Sequence, residues 1–238
     1  MANKIKQYFV IAMLLIVSAT LVVQGNAFAT TMTPNIGTAN NFAVLGSSTV
    51  TNTGMTLITG NLGVSPGTAI TGFPPGIVIG TTYASGPVAA KAHADAATAY
   101  TTLTNAKCAT NEPAVANLGG QTLKPGVYCF PSSAAITGKL TLSGSGVYIF
   151  KIGSTLTTAA SNSQVVLANG ATSNNVFWVV GSSATLGINS AFKGTVIAYS
   201  SITATTGATV DGRLIALNGA VTMDTNHVVI TVAHSTQK

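Results

Sequence analysis

The chain has 238 residues, the length of one large domain or one long array. Only 6% are charged, against roughly a quarter in an ordinary soluble domain, while 47% are apolar, 25 are Gly and 36 are Thr. That composition is the reverse of a disordered chain's. With four acids (Asp95, Glu112, Asp211, Asp224) and three His, it leaves few parts for a carboxylate-rich metal site or an acid–base pair.

Residues 1–29 read as a secretory signal peptide. Lys4 and Lys6 supply a positive start, Phe9 to Val23 an apolar run, and Ala27-Phe28-Ala29 a small-residue cleavage site. The expectation is a protein secreted to the extracellular space or periplasm, with no membrane attachment after cleavage and residues 30–238 as a single domain. The mature chain would carry eight Lys or Arg against four acids, spread without a basic stripe, so nucleic acid is not an expected partner. Export lets Cys108 and Cys129 form a structural disulfide; they lack the close spacing of a redox motif.

The helix signal is confined to about residues 86–105. Ser85 or Gly86 can cap it, Pro87 takes the first helical position, and an Ala-rich run follows. Val88, Ala92, Ala96, Ala99, Tyr100 and Leu103 form one stripe, small enough to lie close on a sheet. His93 sits beside that stripe as a partly covered surface residue.

Elsewhere short strands are broken by Gly, Asn and Ser, and they repeat. Thr195–Thr205 aligns with Arg213–Asp224, with an apolar block, a small-residue corner and a Thr-rich tail recurring 18 or 19 residues later. Val176–Val180 with Thr185-Leu186-Gly187 is the next unit upstream, and Val147–Phe150 with Thr155-Leu156-Thr157 the one before it. A period near 18 suits a three-sided β-solenoid coil of about six residues per side. Arg213 to Leu217 is apolar on both sides and needs a cover, for which the helix is the candidate. Ser201 to Thr206 alternates, with Thr203 and Thr205 outward.

Stacked coils would set Thr141/Ser143, Thr155/Thr157, Thr185/Gly187, Thr203/Thr205 and Thr222/Asp224 in two parallel ranks. Such an uncharged grid suits a partner that is itself a lattice, such as crystalline water or a polysaccharide fibre. Thr is also simply a good strand residue, so ranks of Thr alone do not establish binding.

Four blocks carry a family resemblance: Phe42-Ala43-Val44-Leu45-Gly46, Gly60-Asn61-Leu62-Gly63-Val64-Ser65-Pro66-Gly67, Thr122-Leu123-Lys124-Pro125-Gly126-Val127-Tyr128 and Gly219-Ala220-Val221-Thr222-Met223-Asp224. From about Asn41 to Thr231 the chain resembles the secreted microbial ice-binding proteins. The resemblance implies a mainly β fold, a discontinuous right-handed β-solenoid of roughly triangular cross-section with one long α-helix packed alongside. It also implies that chain order and coil order differ, so that the strand around Thr51 and Thr53 docks against a late coil.

The implied function is adsorption to ice through one face, giving thermal hysteresis and inhibiting recrystallisation, often with T-A/G-x-T/N motifs. Thr53-Gly54-Met55-Thr56, Thr203-Ala204-Thr205-Thr206 and Thr206-Gly207-Ala208-Thr209 fit that pattern. Thr158-Ala159-Ala160-Ser161 comes close, Leu186-Gly187-Ile188-Asn189 departs at its first position, and Thr222-Met223-Asp224-Thr225 puts a carboxylate in the rank. The expected ice-binding set is therefore Thr51, Thr53, Thr56, Thr141, Ser143, Thr155, Thr157, Thr158, Thr185, Asn189, Thr203, Thr205, Thr206, Thr209, Thr222 and Asp224. Thr206 and Thr209 are expected at the rim or on the neighbouring face.

The partner would be an ice surface, with no cofactor, no metal and a monomeric chain. A cell-surface adhesin or glycan-binding module on the same scaffold is the alternative. An enzyme is not expected, because solenoid lyases need clustered acids and the Asp211/Arg213 pair reads as a solvated turn. Trp178 reads as core.

Overall fold

The computed structural model describes residues 34–108, 116–161 and 163–231. The expected signal peptide lies outside them. Among the described residues no helix is long and apolar enough to cross a membrane.

Gly, Asn and Ser break the apolar blocks into short strands, and each coil lays down three of them on three faces. All strand pairs are parallel, so every face is a ladder between successive coils. The helix face runs Gly126–Phe130, Tyr148–Ile152, Val176–Val180, the second half of Ala191–Ala198, the second half of Thr209–Ala216, Phe42–Gly46, Asn61–Val64 and Thr82–Ala84. A separate 7-stranded sheet, the threonine face, runs Ala134–Ile136, Leu156–Thr158, Ala184–Leu186, Ile202–Ala204, Val221–Asp224, Thr49–Thr53 and Ala69–Thr71. The third, mixed face runs from Thr122–Leu123 through Lys139–Ser143, Gln164–Ala168 and the first halves of the two long strands to His227–Val229, Leu57–Thr59 and Ile77–Ile79.

The expected discontinuity is present. Phe42–Gly46 docks on Thr209–Ala216 (Val44 opposite Leu214), and Thr49–Thr53 docks on Val221–Asp224 (Thr51 opposite Thr222). The N-terminal coils thus continue the solenoid beyond its C-terminal coil. The long strands turn the corner between mixed and helix faces at Gly194 and Gly212, both at positive φ. A Cβ on Gly212 would lie 1.9 Å from the Gly194 carbonyl oxygen, so this stacked corner excludes side chains.

Two apolar layers hold the coil. Inside, Tyr128, Phe150 and Trp178 stack from coil to coil with centroids 5.3 and 4.0 Å apart. Trp178 is fully buried, with Nε1 donating to the Lys193 carbonyl at 2.9 Å. Outside, helix α1 (Pro87–Thr104) covers the helix face, matching the doubly apolar strands read from the sequence. Its buried stripe is Ala89, Ala92, Ala96, Ala99 and Leu103. Val88, expected on that stripe, is exposed at its edge, and Ala89, on the opposite edge of the stripe, is buried instead. His93 is half-buried, with Nε2 2.9 Å from the Leu217 carbonyl oxygen. The helix leads from the Thr82–Ala84 end back toward the opposite end, where Cys108 is bonded to Cys129 of the terminal strand.

Arg213 is not part of a solvated turn. It is 3% exposed and clamps the N-terminal piece, donating from Nε and Nη2 to the Asn40 carbonyl (3.0 and 2.9 Å) and from Nη2 to Asn40 Oδ1 (2.6 Å). Burial pushes its guanidinium down to about 10, partly offset by Asp211, so it stays cationic at neutral pH. A second clasp joins the same piece to α1, with Asp95 accepting from the Thr38 amide and hydroxyl and from Lys91.

Candidate functional site

The threonine face forms because each of its strands alternates. Ile202 and Ala204 point into the core and Thr203 points out; Val221 and Met223 point in and Thr222 points out. The parallel register then stacks the outward residues into one file: Ala135, Thr157, Thr185, Thr203, Thr222, Thr51 and Thr71. The last six are consecutive threonines. At roughly 4.8 Å per strand they span about 24 Å. Thr51 Oγ1 donates to Thr222 Oγ1 at 3.3 Å, across the junction between residues far apart in the chain. Among the described residues no side-chain partner engages the hydroxyls of Thr157, Thr185, Thr203 and Thr71, which leaves them to water.

Two residues earlier on each strand runs a second file of small groups: Ser133, Thr155, Ser183, Ser201, Ala220, Thr49 and Ala69. Thr155 Oγ1 donates to Ser133 Oγ at 2.8 Å within it. On the other side lie Thr205, Asp224 and Thr53. Thr205 Oγ1 is turned onto the Leu186 carbonyl at 2.7 Å. Asp224 is the sheet's one ionisable residue, and neighbouring hydroxyls occupy its carboxylate. Oδ2 accepts from Thr206 Oγ1 and Oδ1 from Thr225 Oγ1. The face therefore presents hydroxyls and methyls with almost no free charge. The mixed face carries Lys139, His227 and the Lys193–Asp211 pair (3.4 Å) among its outward residues.

Several expected members sit elsewhere. Thr141 and Ser143 belong to the mixed face, where Thr141 lies opposite Thr122 and Val166. Lys139–Ser143 alternates like a threonine-face strand, so local pattern alone could not separate the two; the coil's true contribution to the threonine face is Ala134–Ile136. Thr56 is buried, its Oγ1 accepting from the Asn226 amide at 3.0 Å. Thr158 is buried as well, its Oγ1 accepting from the Gly187 amide at 2.7 Å. Both close the corner toward the mixed face, so neither hydroxyl is presented outward. Asn189 and Thr206 line that corner exposed, joined through the Asn189 amide and the Thr206 carbonyl. Thr209 opens the mixed-face part of its strand.

Within the ranks, Thr157 rather than Thr155 is the partner of Thr185, a slip of two. The apolar block Val147–Phe150 continues as strand through Lys151 to Ile152, and Lys151 Nζ donates to the Ala106 carbonyl at 2.8 Å. Thr71 was missed; its signal is the short alternation of Ala69-Ile70-Thr71 before Gly72. Cys108 and Cys129 are bonded as expected.

The fold and this face define a helix-backed parallel β-solenoid presenting one in-register, nearly ion-free hydroxyl sheet. Residues 44–229 match the family model described as Ice-binding-like, and the chain belongs to that family. It is 50% identical over 231 residues to an ice-binding protein of Nostoc sp. (strain HG1), covering 94% of this chain and 83% of that protein. It is 34% identical to an ice-binding protein of Flavobacterium frigoris (strain PS1), over 82% of this chain and 76% of that one. Among solved structures, an ice-binding protein from the Antarctic ascomycete Antarctomyces psychrotrophicus superposes with a TM-score of 0.81 at 41% identity, over 85% of this chain and all of that one.

Proposed function

We propose that this chain binds ice, that it does so through the threonine face, and that adsorption gives thermal hysteresis and inhibits recrystallisation. The file of six in-register threonines carries the reading, and the ice-binding relatives support it. Export after removal of residues 1–29 places the protein outside the cytoplasm, and ice is the partner, engaged without a cofactor.

The chemistry follows from the grid. β-branched Thr is held to few χ1 rotamers, so hydroxyls and methyls are in position before contact, and little ordering entropy remains to be lost on binding. A single net hydrogen bond contributes only about 0.5–1.5 kcal/mol, so a lone threonine would hold nothing. Many made together on a rigid sheet give slow release. Water organised over the file merges with the crystal, and growth between adsorbed molecules must curve, which lowers the freezing point.

Thr203 sits in the middle of the file and tests the assignment. Thr203→Tyr should abolish most of the hysteresis while leaving the thermal melt within about 0.5 kcal/mol of the parent, as for a surface substitution. Thr141→Tyr, on the mixed face, should keep it. A nanolitre osmometer reads both. Activity retained in Thr203→Tyr and lost in Thr141→Tyr would move the function to the mixed face.

A further inference from the structure

The cations look scattered in sequence, but the coil gathers four of them at one end, with Lys91 on the helix and Lys193 and Arg213 on central strands. From residue 34 to residue 90 there is no Asp, Glu, Lys, Arg or His. That stretch builds the two coils and the last helix-face strand at one end of the solenoid, closed by Ala69–Thr71, Ile77–Ile79 and Thr82–Ala84. Lys107, Lys124, Lys139 and Lys151 all lie at the other end. Lys107 precedes the cysteine bonded to the terminal strand Gly126–Phe130. Lys124 joins the two terminal strands Thr122–Leu123 and Gly126–Phe130, and Lys139 and Lys151 sit on the coil next to them.

Lys107, Lys124 and Lys139 are exposed, and among the described residues none of the three makes an ion pair. Lys151 is half-buried and its ammonium engages the Ala106 carbonyl. The described acids are engaged elsewhere: Asp95 by Lys91, Asp211 by Lys193, and Asp224 by hydroxyls. Glu112, in the stretch outside the described residues, leaves these four lysines a net excess of three by sequence. The eight strands of the helix face put the basic and the charge-free ends on the order of 34 Å apart, several Debye lengths at physiological salt.

From this polarity we infer that the Lys107/Lys124/Lys139 end is a docking surface for a carboxylate-bearing polysaccharide. Lysines are point charges that suit the spaced carboxylates of a uronate chain and lack arginine's bidentate fit to phosphate. The exposed large apolar residues, Met55, Ile77, Ile79, Val88, Ile188 and Tyr199, all lie elsewhere. Among the described residues the basic end therefore offers no exposed ring for base stacking and no apolar wedge for a bilayer. End-on attachment would leave the threonine face turned sideways and free, so a matrix-held molecule could still meet ice.

The test is retention on immobilised alginate, with agarose as the neutral control, for the full mature chain and for the Lys107→Gln/Lys124→Gln/Lys139→Gln variant. The expected result is retention of the parent at low salt on alginate and not on agarose. By the counterion-release slope for three contacts, affinity should fall roughly 100- to 1,000-fold for a tenfold rise in salt. The triple variant should elute in the void with its hysteresis intact. Failure of the parent to bind alginate, equal retention of the triple variant, or stronger binding to duplex DNA or to vesicles containing phosphatidylglycerol would overturn the inference. The parent's salt dependence and agarose control need no variant, and the hysteresis readout keeps this result separate from the ice assignment.

Discussion

Replacing Arg213 by Met would test how the two pieces of the solenoid are held together. The methionine fills much of the buried stem volume but removes all five donors. Those donors reach the Asn40 carbonyl and Oδ1 at 2.6–3.0 Å, and Asn174 Oδ1 and Thr195 Oγ1 at 3.4 Å each. The short contacts to Asn40 matter most, because they join a C-terminal strand to the segment leading into Phe42–Gly46. Losing a charged donor and stranding a covered acceptor costs about 1–3 kcal/mol per group. Asn40 is exposed and its acceptors can turn to water, so about 2–4 kcal/mol, most of it from the lost charged donors, is the expected total. For a domain of this size that is a fall in Tm of roughly 4–16 °C. Calorimetry gives the size and hydrogen exchange the place: Val44 and Leu45, paired with Leu214 and Ile215, should lose protection first. An unchanged melt, or lost protection that spares residues 42–46, would refute the clamp.

Asp95 supplies a pH signature. Hydrogen bonds from Lys91 and then from the Thr38 amide and hydroxyl lower its pKa from 3.8 to about 2. Its folded pKa is depressed, so its contribution is present above pH 4 and is lost as pH falls toward 2. Discounted for exposure it amounts to about 1 kcal/mol or less, and Asp95→Asn should flatten that part of the acid melt. Cys129→Ser with Cys108→Ser opens a loop spanning 21 residues and should lower stability by about 3 kcal/mol in the chain-entropy model. The bond sits on the helix face, so hysteresis near 0 °C should survive, and its loss in a folded double mutant would contradict this. Gly212→Ala drives a Cβ into the Gly194 carbonyl and should prevent a native melt altogether; a folded, fully active Gly212→Ala protein would contradict the stacked corner.

Much of the fold and of the candidate site was legible because it rests on periodicities internal to the chain. The doubly apolar Arg213–Leu217 block, the Ala stripe of α1 and the alternation around Thr203 each state their own burial in a few residues, since burial follows the period of the element. The offset of 18 or 19 reproduced the pairing of Thr195 with Arg213 and of Thr203 with Thr222. What those patterns could not do was assign a strand to a face. Lys139–Ser143 and Ala134–Ile136 alternate alike, and only the stacking of whole coils separates them. The inward turn of Thr56 and Thr158 depends on the corner geometry around them, and the burial of Arg213 on a partner 173 residues away. The sequence by itself determined which residues make strand, helix and corner, because those preferences are local. Tertiary structure alone decided that Thr157 and Thr71 complete the file and where the lysines gather, because both depend on the register between coils that the chain visits out of order.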